Sequence, residues 1–390
     1  MSDGLPVKDE MPRRVAVVHD WLVDYAGSER VLAEILRCLP QAELYTLVDR
    51  MPKPERAPLG GRPARTSFLQ DMPGIASRLS WYLPLMPFAV EQFDLTGYDL
   101  VISSSHAVAK GVIVAPDTLH LSYVHSPMRY AWDQQFEYLR AEHAEDGLKS
   151  LLLRGLLHRL RLWDHRSAAG VDHFAANSAF VARRILKAYR REAEVIHPPV
   201  DVDFYAPGGG ERGEEYVAVS RLVGYKRVDL LVQAFRDHLT DRRLLVVGNG
   251  PERARLQAMA GRNVTFAGRL APEELRARLQ RARAFLFAAV EDFGIAPVEA
   301  MACGTPVIAY GRGGAAETVA GLDAPQPTGV LFAEQSAGAV ARAVRSFEEN
   351  AARIAPQACR ARAERFSAER FRAQFLEFVS RKTAEWQPRR

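Results

Sequence analysis

Hydrophobic residues in this chain fall into short runs separated by longer stretches with helical spacing. Runs at 15–18, 44–48, 98–103, 119–124 and 171–178 punctuate the first half, and runs at 216–220, 244–247, 264–269, 284–288 and 307–310 the second. A short, mostly apolar run predicts a strand covered on both faces, as in a parallel sheet. Between the runs, Val31, Leu32, Ile35 and Leu36, and later Leu230, Leu231 and Phe235, recur with the period of an amphipathic helix. Strand and helix alternate through both halves, which predicts an α/β chain with two doubly wound parallel sheets. Pro198-Pro199 and the triplet Gly208-Gly209-Gly210 read as the connection, setting expected domains at 13–200 and 201–365, with a last helical segment at 366–390.

Composition narrows the class. At 390 residues, 48% hydrophobic and 25% charged, the chain is an ordinary globular protein too long for one core. A net charge of +5 suits anionic ligands or an anionic membrane surface, and is too slight an excess to argue nucleic acid. Cys38, Cys303 and Cys359 are odd in number, scattered and without metal spacing, so they read as reduced thiols of a cytoplasmic setting. Residues 1–14 lack the apolar stretch of a signal peptide, and no run of eighteen apolar residues exists to span a bilayer.

The densest chemistry is Glu291-Asp292-Phe293-Gly294-Ile295-Ala296-Pro297-Val298-Glu299, followed by Met301-Ala302-Cys303-Gly304-Thr305-Pro306. A strand at 284–288, a polar loop with Gly294 and a helix opened by Pro297 are expected, with Gly304 and Pro306 ending the helix. Such a strand, turn and helix N-terminus make an anion site, because unpaired amides point outward there. Glu291 then lies in the loop and Glu299 in the first helical turn. Taken singly, Glu299 also suits a helix cap and Glu291 a solvated loop. A glycosidase pair, whose carboxyls flank one bond, meets this placement only by accident.

That ordered string, E-x7-E with F-G-I inside and M-A-C-G-T-P-V-I-A behind, resembles the donor site of the family 4 retaining glycosyltransferases. The resemblance runs from Val15 to about Trp386 and implies the GT-B fold, two Rossmann-like domains facing across a cleft, with the last helix returning to the first domain. It implies that Glu299 holds nucleotide ribose hydroxyls and that Glu291 faces the transferred sugar. Phe293 belongs to the same donor segment, and the amides of Gly294, Ile295 and Ala296 meet the diphosphate or sugar. Ser220-Arg221-Leu222-Val223-Gly224-Tyr225-Lys226-Arg227 is similar to the family's basic loop. As a bare Arg and Lys it reads as solvated. The resemblance implies that Arg221 and Lys226 neutralise the leaving diphosphate, which leaves no metal or other cofactor required. Gly268 and Arg269, ending the run at 264–269, are implied near the nucleotide base.

In the first half the resemblance implies a donor-phosphate contact at Gly27, where the family's preceding glycine is replaced by Ala26; Ser28 is expected to cap the following helix. His125 ends the run at 119–124, where parallel sheets place ligands. Alone it reads as a structural histidine, and the resemblance implies a sugar contact. Trp21, Tyr25, Arg129 and Tyr130 are acceptor candidates, as is Trp132, with packing as the alternative. The apolar stretch 68–93 reads as buried helices ahead of a lipid-facing surface. At 150–165, Leu152, Leu156, Leu160 and Trp163 share a helical face that suits either a core or an anionic membrane. His19-Asp20-Trp21-Leu22, Ser103-Ser104-Ser105-His106 and the segment after His125 resemble mannosyl- and rhamnosyltransferases of bacterial surface polysaccharide synthesis.

The expected function is therefore transfer of a hexosyl group, mannose from GDP-mannose, to a saccharide or polyprenol-linked acceptor, with peripheral contact at the inner face of the plasma membrane. GDP-rhamnose or a UDP-sugar is the alternative donor. The rivals are a sugar-nucleotide epimerase on the same fold, a phosphorylase, for which no pyridoxal-lysine site is found, and a non-catalytic nucleotide-sugar-binding protein.

Overall fold

The computed structural model describes residues 12–141 and 144–386; most of the leader stretch considered at 1–14 lies outside them. The chain divides into two compact units, 1–199 with 371–390, and 200–370.

Among the described residues, the first unit holds seven parallel strands: β1 (Val15–His19), β2 (Glu43–Thr46), β3 (Ala64–Thr66), β4 (Leu100–Ser105), β5 (Leu119–Val124), β6 (His173–Ala176) and β7 (Ala193–Val195). Their order is β3-β2-β1-β4-β5-β6-β7. The second unit holds six: β8 (Glu215–Val219), β9 (Arg243–Val247), β10 (Val264–Gly268), β11 (Phe285–Phe287), β12 (Val307–Tyr310) and β13 (Gly329–Phe332), in the order β10-β9-β8-β11-β12-β13. Strand order reverses between β1 and β4 in one sheet and between β8 and β11 in the other. A doubly wound sheet opens a crevice at that point, beyond the carboxyl ends of the strands.

β1, β4 and β5 are buried at every position, as strands covered on both faces must be. β3 escaped the hydrophobic pattern because it is a partly exposed edge strand of Ala, Arg and Thr. The helix Ala368–Glu385 buries Phe371, Phe375, Phe378 and Val379 against Val17, Leu32, Leu36 and Tyr123 of the first unit, which explains why the chain's end belongs to that unit.

The helix Gly147–Ser167 buries Leu157, Leu160 and Asp164, whereas Leu152, which spacing sets on one helical face with Leu160, is 65% exposed. Leu148 and Leu151 are exposed beside it at 71% and 68%. The inward face is set by Asp164, a fully buried carboxylate that a purely apolar pattern overlooks. Its oxygens accept from Lys110 Nζ at 2.5 Å, Trp132 Nε1 at 2.7 Å and Tyr189 Oη at 2.9 Å. The stretch 68–93 forms several short helices that bury Leu69, Ile75, Leu83, Met86, Ala89 and Val90, yet leave Phe68, Trp81, Leu85 and Phe88 exposed. No helix among the described residues is long and apolar enough to cross a membrane.

Candidate functional site

The second unit gathers four backbone segments at its switch point. The loop after β8 carries Arg221 and Lys226, and the loop after β11 carries Glu291. Lys226 Nζ forms an ion pair with Glu291 Oε1, both side chains being mostly shielded at 17% and 14% exposure. Arg221 is exposed and makes no ion pair among the described residues. The residue after Lys226, Arg227, stands at φ +54°, a left-handed conformation disfavoured for a side-chain-bearing residue, and opens the helix Val228–Asp237. The two basic residues assigned to one diphosphate are thus unequal: Lys226 is tethered and Arg221 is free to reach.

The helix after Glu291 runs Ile295–Ala302, with Gly294 at φ +83° before it. It starts earlier than expected. Pro297 is its third residue and Glu299 its fifth, so Glu299 sits in the second turn, beyond reach of a capping-box role. Glu299 is nevertheless buried to 6% exposure. The first-turn amides of Ile295 and Ala296 are on a partly exposed segment, as an anion site requires. The Phe293 ring is buried and lies edge-on to Phe366, centroids 5.4 Å apart. Gly268, at φ +73°, ends β10 with its carbonyl accepting from Gly248 N at 2.7 Å, and Arg269 beside it is exposed.

Glycines in tight backbone contact shape this site. A Cβ on Gly313, at φ +72°, would lie 2.3 Å from the Glu291 carbonyl, and one on Gly314 would lie 2.2 Å from the Phe293 carbonyl. Gly314 N donates to Glu291 O at 2.9 Å. This turn is a tight backbone brace beneath Glu291. Gly248 and Gly250 do the same for the basic loop, where a Cβ would approach the carbonyls of Ser220 and Leu222 to 1.9 and 2.2 Å. Close backbone approach is the one signal, a cluster of glycines after a strand, that sequence offered.

The first unit builds a separate polar cluster at its own switch point, from the ends of β1, β4 and β5. Asp20, fully buried, accepts from the amides of His106, Ala107, Val108 and Ala109 at 2.6, 3.0, 2.6 and 2.7 Å. Burial alone would raise its pKa; the His106 ring, these amides and His19 hold it below the usual carboxylate range. His125 is 9% exposed, and its Nε2 lies 2.8 Å from Ser104 Oγ. His19 sits 6.4 Å from it and His106 6.2 Å, ring centre to ring centre. Burial, helped by these two rings, pushes the His125 imidazole down to about 3, so it is neutral. None of Asp20, His19, Ser104 or His106 was picked as a site residue. Their only signal was polar residues continuing an apolar strand, Ser103-Ser104-Ser105-His106, where a loop would normally begin.

The other candidates scatter by role. Gly27 is the first residue of the helix Gly27–Cys38, and Ala26, not Ser28, is its N-cap; Glu29 closes that end by accepting from Ala26 N at 3.0 Å. Trp21 lies edge-on to His106 at 4.6 Å. Tyr25 donates its amide to Glu55 at 3.0 Å and packs on the core. Arg129 follows the cluster on a partly buried turn, and the Tyr130 hydroxyl is buried with no hydrogen-bond partner among the described residues. Trp132, bonded to Asp164, is structural.

The buried imidazoles predict an acid weakness. Burial pushes His120 down to about 4, as it pushes His125 to about 3. Both folded-state values lie below the unfolded value, so the unfolded chain takes protons first as pH falls, and stability present at neutral pH is lost below about 6.5. Between pH 7 and pH 5 the pair should cost the first unit about 4 kcal/mol. Hydrogen exchange of β5 amides at the two pH values measures this. Unchanged protection at pH 5 refutes it.

Known proteins were compared with this geometry in hand. A sucrose-phosphate synthase from Thermosynechococcus elongatus superposes with TM-score 0.71 at 20% identity, covering 96% of this chain and all of that one. Anabaena HepE in complex with UDP superposes at 0.68 with 18% identity, covering 94% of this chain and all of that one. These likenesses establish the fold as GT-B. A GDP-mannose-dependent alpha-(1-6)-phosphatidylinositol monomannoside mannosyltransferase of Mycobacterium tuberculosis is 33% identical over 208 residues, 46% of this chain and 53% of that protein. A 2-deoxystreptamine glucosyltransferase of Streptomyces kanamyceticus is 32% identical over 186 residues, 42% of this chain and 48% of that protein. The chain thus spans about half the length of the curated relatives it matches. Residues 25–204 match the model for Glycosyltransferase Family 4 and residues 206–366 that for group 1 glycosyl transferases, and the chain belongs to the family 4 glycosyltransferases.

Proposed function

We propose that this protein is a retaining glycosyltransferase that moves mannose from GDP-mannose to a saccharide or lipid-linked saccharide. One observation carries the reading. The Lys226–Glu291 ion pair stands beside the open N-terminus of the helix Ile295–Ala302, with Glu299 buried one turn in. A diphosphate needs cations and free amides, a ribose needs a bidentate acceptor, and a sugar needs a carboxylate for its hydroxyls. The four elements meet those needs in one place. Arg221, Lys226 and the helix amides would take up the charge that develops on the leaving diphosphate as the anomeric C–O bond breaks. Glu291, released from Lys226 as the phosphate replaces it, would hold the sugar, and His125 would accept from a sugar hydroxyl. The leaving phosphate oxygen takes the acceptor's proton on the same face, which retains configuration and uses no metal or cofactor. Mannose and GDP are chosen because mannosyltransferases named GDP-mannose-dependent are among the relatives at 33 to 35% identity.

An acceptor at an anionic membrane is supported by exposed Leu148, Leu151 and Leu152, which share the helix Gly147–Ser167 with exposed Lys149, Arg159 and Arg166. Leucines flanked by cations suit the boundary between anionic headgroups and acyl chains.

The experiment is nucleotide release by purified protein from a panel of sugar nucleotides, in EDTA and without acceptor, together with sedimentation on phosphatidylglycerol vesicles. Slow GDP release from GDP-mannose is the expected result. Release from UDP-sugars alone replaces the donor, release restored only by added metal removes the metal-free mechanism, and no release or binding sinks the transferase reading. Failure to sediment with vesicles removes the membrane component.

A further inference from the structure

The polar cluster of the first unit contains an unbroken chain of hydrogen bonds that ends on His125. Glu29 Oε1 lies 3.3 Å from His19 Nε2; His19 Nδ1 lies 3.0 Å from Ser104 Oγ; Ser104 Oγ lies 2.8 Å from His125 Nε2. All three inner members are buried: Glu29 at 3% and His19 and Ser104 at zero exposure. They come from three elements, the end of β1, the helix Gly27–Cys38 and the end of β4, so the chain exists only once the switch point is assembled.

The direction of each bond follows from donor and acceptor capacity. Burial alone would raise the Glu29 carboxyl, but its hydrogen bond with His19 and the nearby His19 and His106 rings hold it down to about 2, so it is ionised and can only accept. Its two oxygens also accept from Ser28 Oγ at 2.9 Å and Ala26 N at 3.0 Å, which fixes its position. His19 must therefore carry hydrogen on Nε2. With that as the ring's only hydrogen, Nδ1 is bare and takes the only hydroxyl proton Ser104 owns. Ser104 Oγ is left to accept, and the donor to it is His125 Nε2–H.

We infer that Glu29, His19 and Ser104 form a positioning relay that locks His125 in the Nε2–H tautomer and leaves its Nδ1 as a fixed acceptor for a hydroxyl of the sugar ligand. The inference rests on the sugar contact proposed for His125. Nδ1 makes no hydrogen bond among the described residues, so its lone pair is unclaimed. A histidine whose tautomer is free would offer that face a donor for part of the time and lose the discrimination. Asp20, His106 and Arg129 also face the cluster: Asp20 spends its oxygens on four amides, and His106 Nδ1 lies 3.1 Å from Asp20.

The test reads the tautomer directly. Long-range proton–nitrogen NMR of histidine-labelled full-length protein at about pH 8, above the ordinary histidine range, reports which nitrogen bears hydrogen. His125 is expected as Nε2–H in the wild type and as a tautomer mixture in Ser104→Ala. With donor turnover as the second readout, Ser104→Ala should lower kcat about tenfold with donor KM unchanged within about twofold, the size of one misdirected hydrogen bond. Ser104→Thr, which keeps the hydroxyl, should restore the locked tautomer. A wild-type His125 found as Nδ1–H or as a mixture overturns the relay without reference to any variant. So does a Ser104→Ala protein whose tautomer and kcat match the wild type. A wild type inert toward every sugar nucleotide, with His125 locked and then released by Ser104→Ala, sinks the transfer reading and leaves the relay standing.

Discussion

Lys226→Ala should lower nucleotide release from the sugar donor by about a hundredfold to a thousandfold, the usual loss when one preorganised charge facing the transition state is removed. The ammonium is held against Glu291 in a largely shielded pocket, so its attraction for a phosphate is less diluted by water than that of exposed Arg221. Arg221→Ala should therefore cost less than Lys226→Ala. Lys226→Arg should recover part of the rate, because charge survives while a planar fork replaces a point charge. Coupling with Glu291 sharpens the test. Deleting Lys226 leaves Glu291 as an uncompensated carboxylate where a diphosphate must bind, so Lys226→Ala/Glu291→Ala should bind GDP more tightly than Lys226→Ala alone. Turnover within tenfold of wild type in Lys226→Ala would remove this lysine from the mechanism.

Gly313→Ala should damage both folding and donor binding, although the residue offers the donor no side chain. Its φ of +72° costs an alanine about 1 kcal/mol, and the new methyl would sit 2.3 Å from the Glu291 carbonyl. Backbone rather than a flexible side chain is the obstacle, so relief requires the Glu291 loop to move, and the Gly314 N to Glu291 O bond of 2.9 Å moves with it. The expected outcome is a second unit destabilised by about 2 to 4 kcal/mol and a weaker grip on GDP, read by urea unfolding and calorimetry. Gly311→Ala is the control. Its Cβ would come no nearer than 3.4 Å to Phe332 O, and its φ lies outside the left-handed range. It should behave nearly as wild type. A Gly313→Ala protein with wild-type stability and GDP affinity would refute the brace.

The hydrophobic pattern alone was sufficient for two parallel sheets, since a strand buried on both faces is mostly apolar along its length, as residues 15–18, Phe285–Phe287 and Val307–Tyr310 are. It was blind where burial is polar. Asp164 lies on the buried face of the helix Gly147–Ser167, and Ser103, Ser104 and Ser105 lie wholly inside β4. The donor-site residues were legible as a linear string because one strand–loop–helix unit supplies them consecutively, from Glu291 to Glu299. Their pairing was not. Lys226 and Glu291 lie on loops after β8 and β11, strands separated in sequence by β9 and β10 and made neighbours only by the reversal of strand order. The same reversal between β1 and β4 brings Glu29, His19 and Ser104 into one chain of bonds. Spacing along a sequence encodes which face of its own element a residue occupies, whereas hydrogen bonds across elements depend on where the sheet folds back on itself. By itself, therefore, the sequence determined the elements and the residue types at their ends; the tertiary structure decided which of those residues share a proton, a charge or a tight backbone contact.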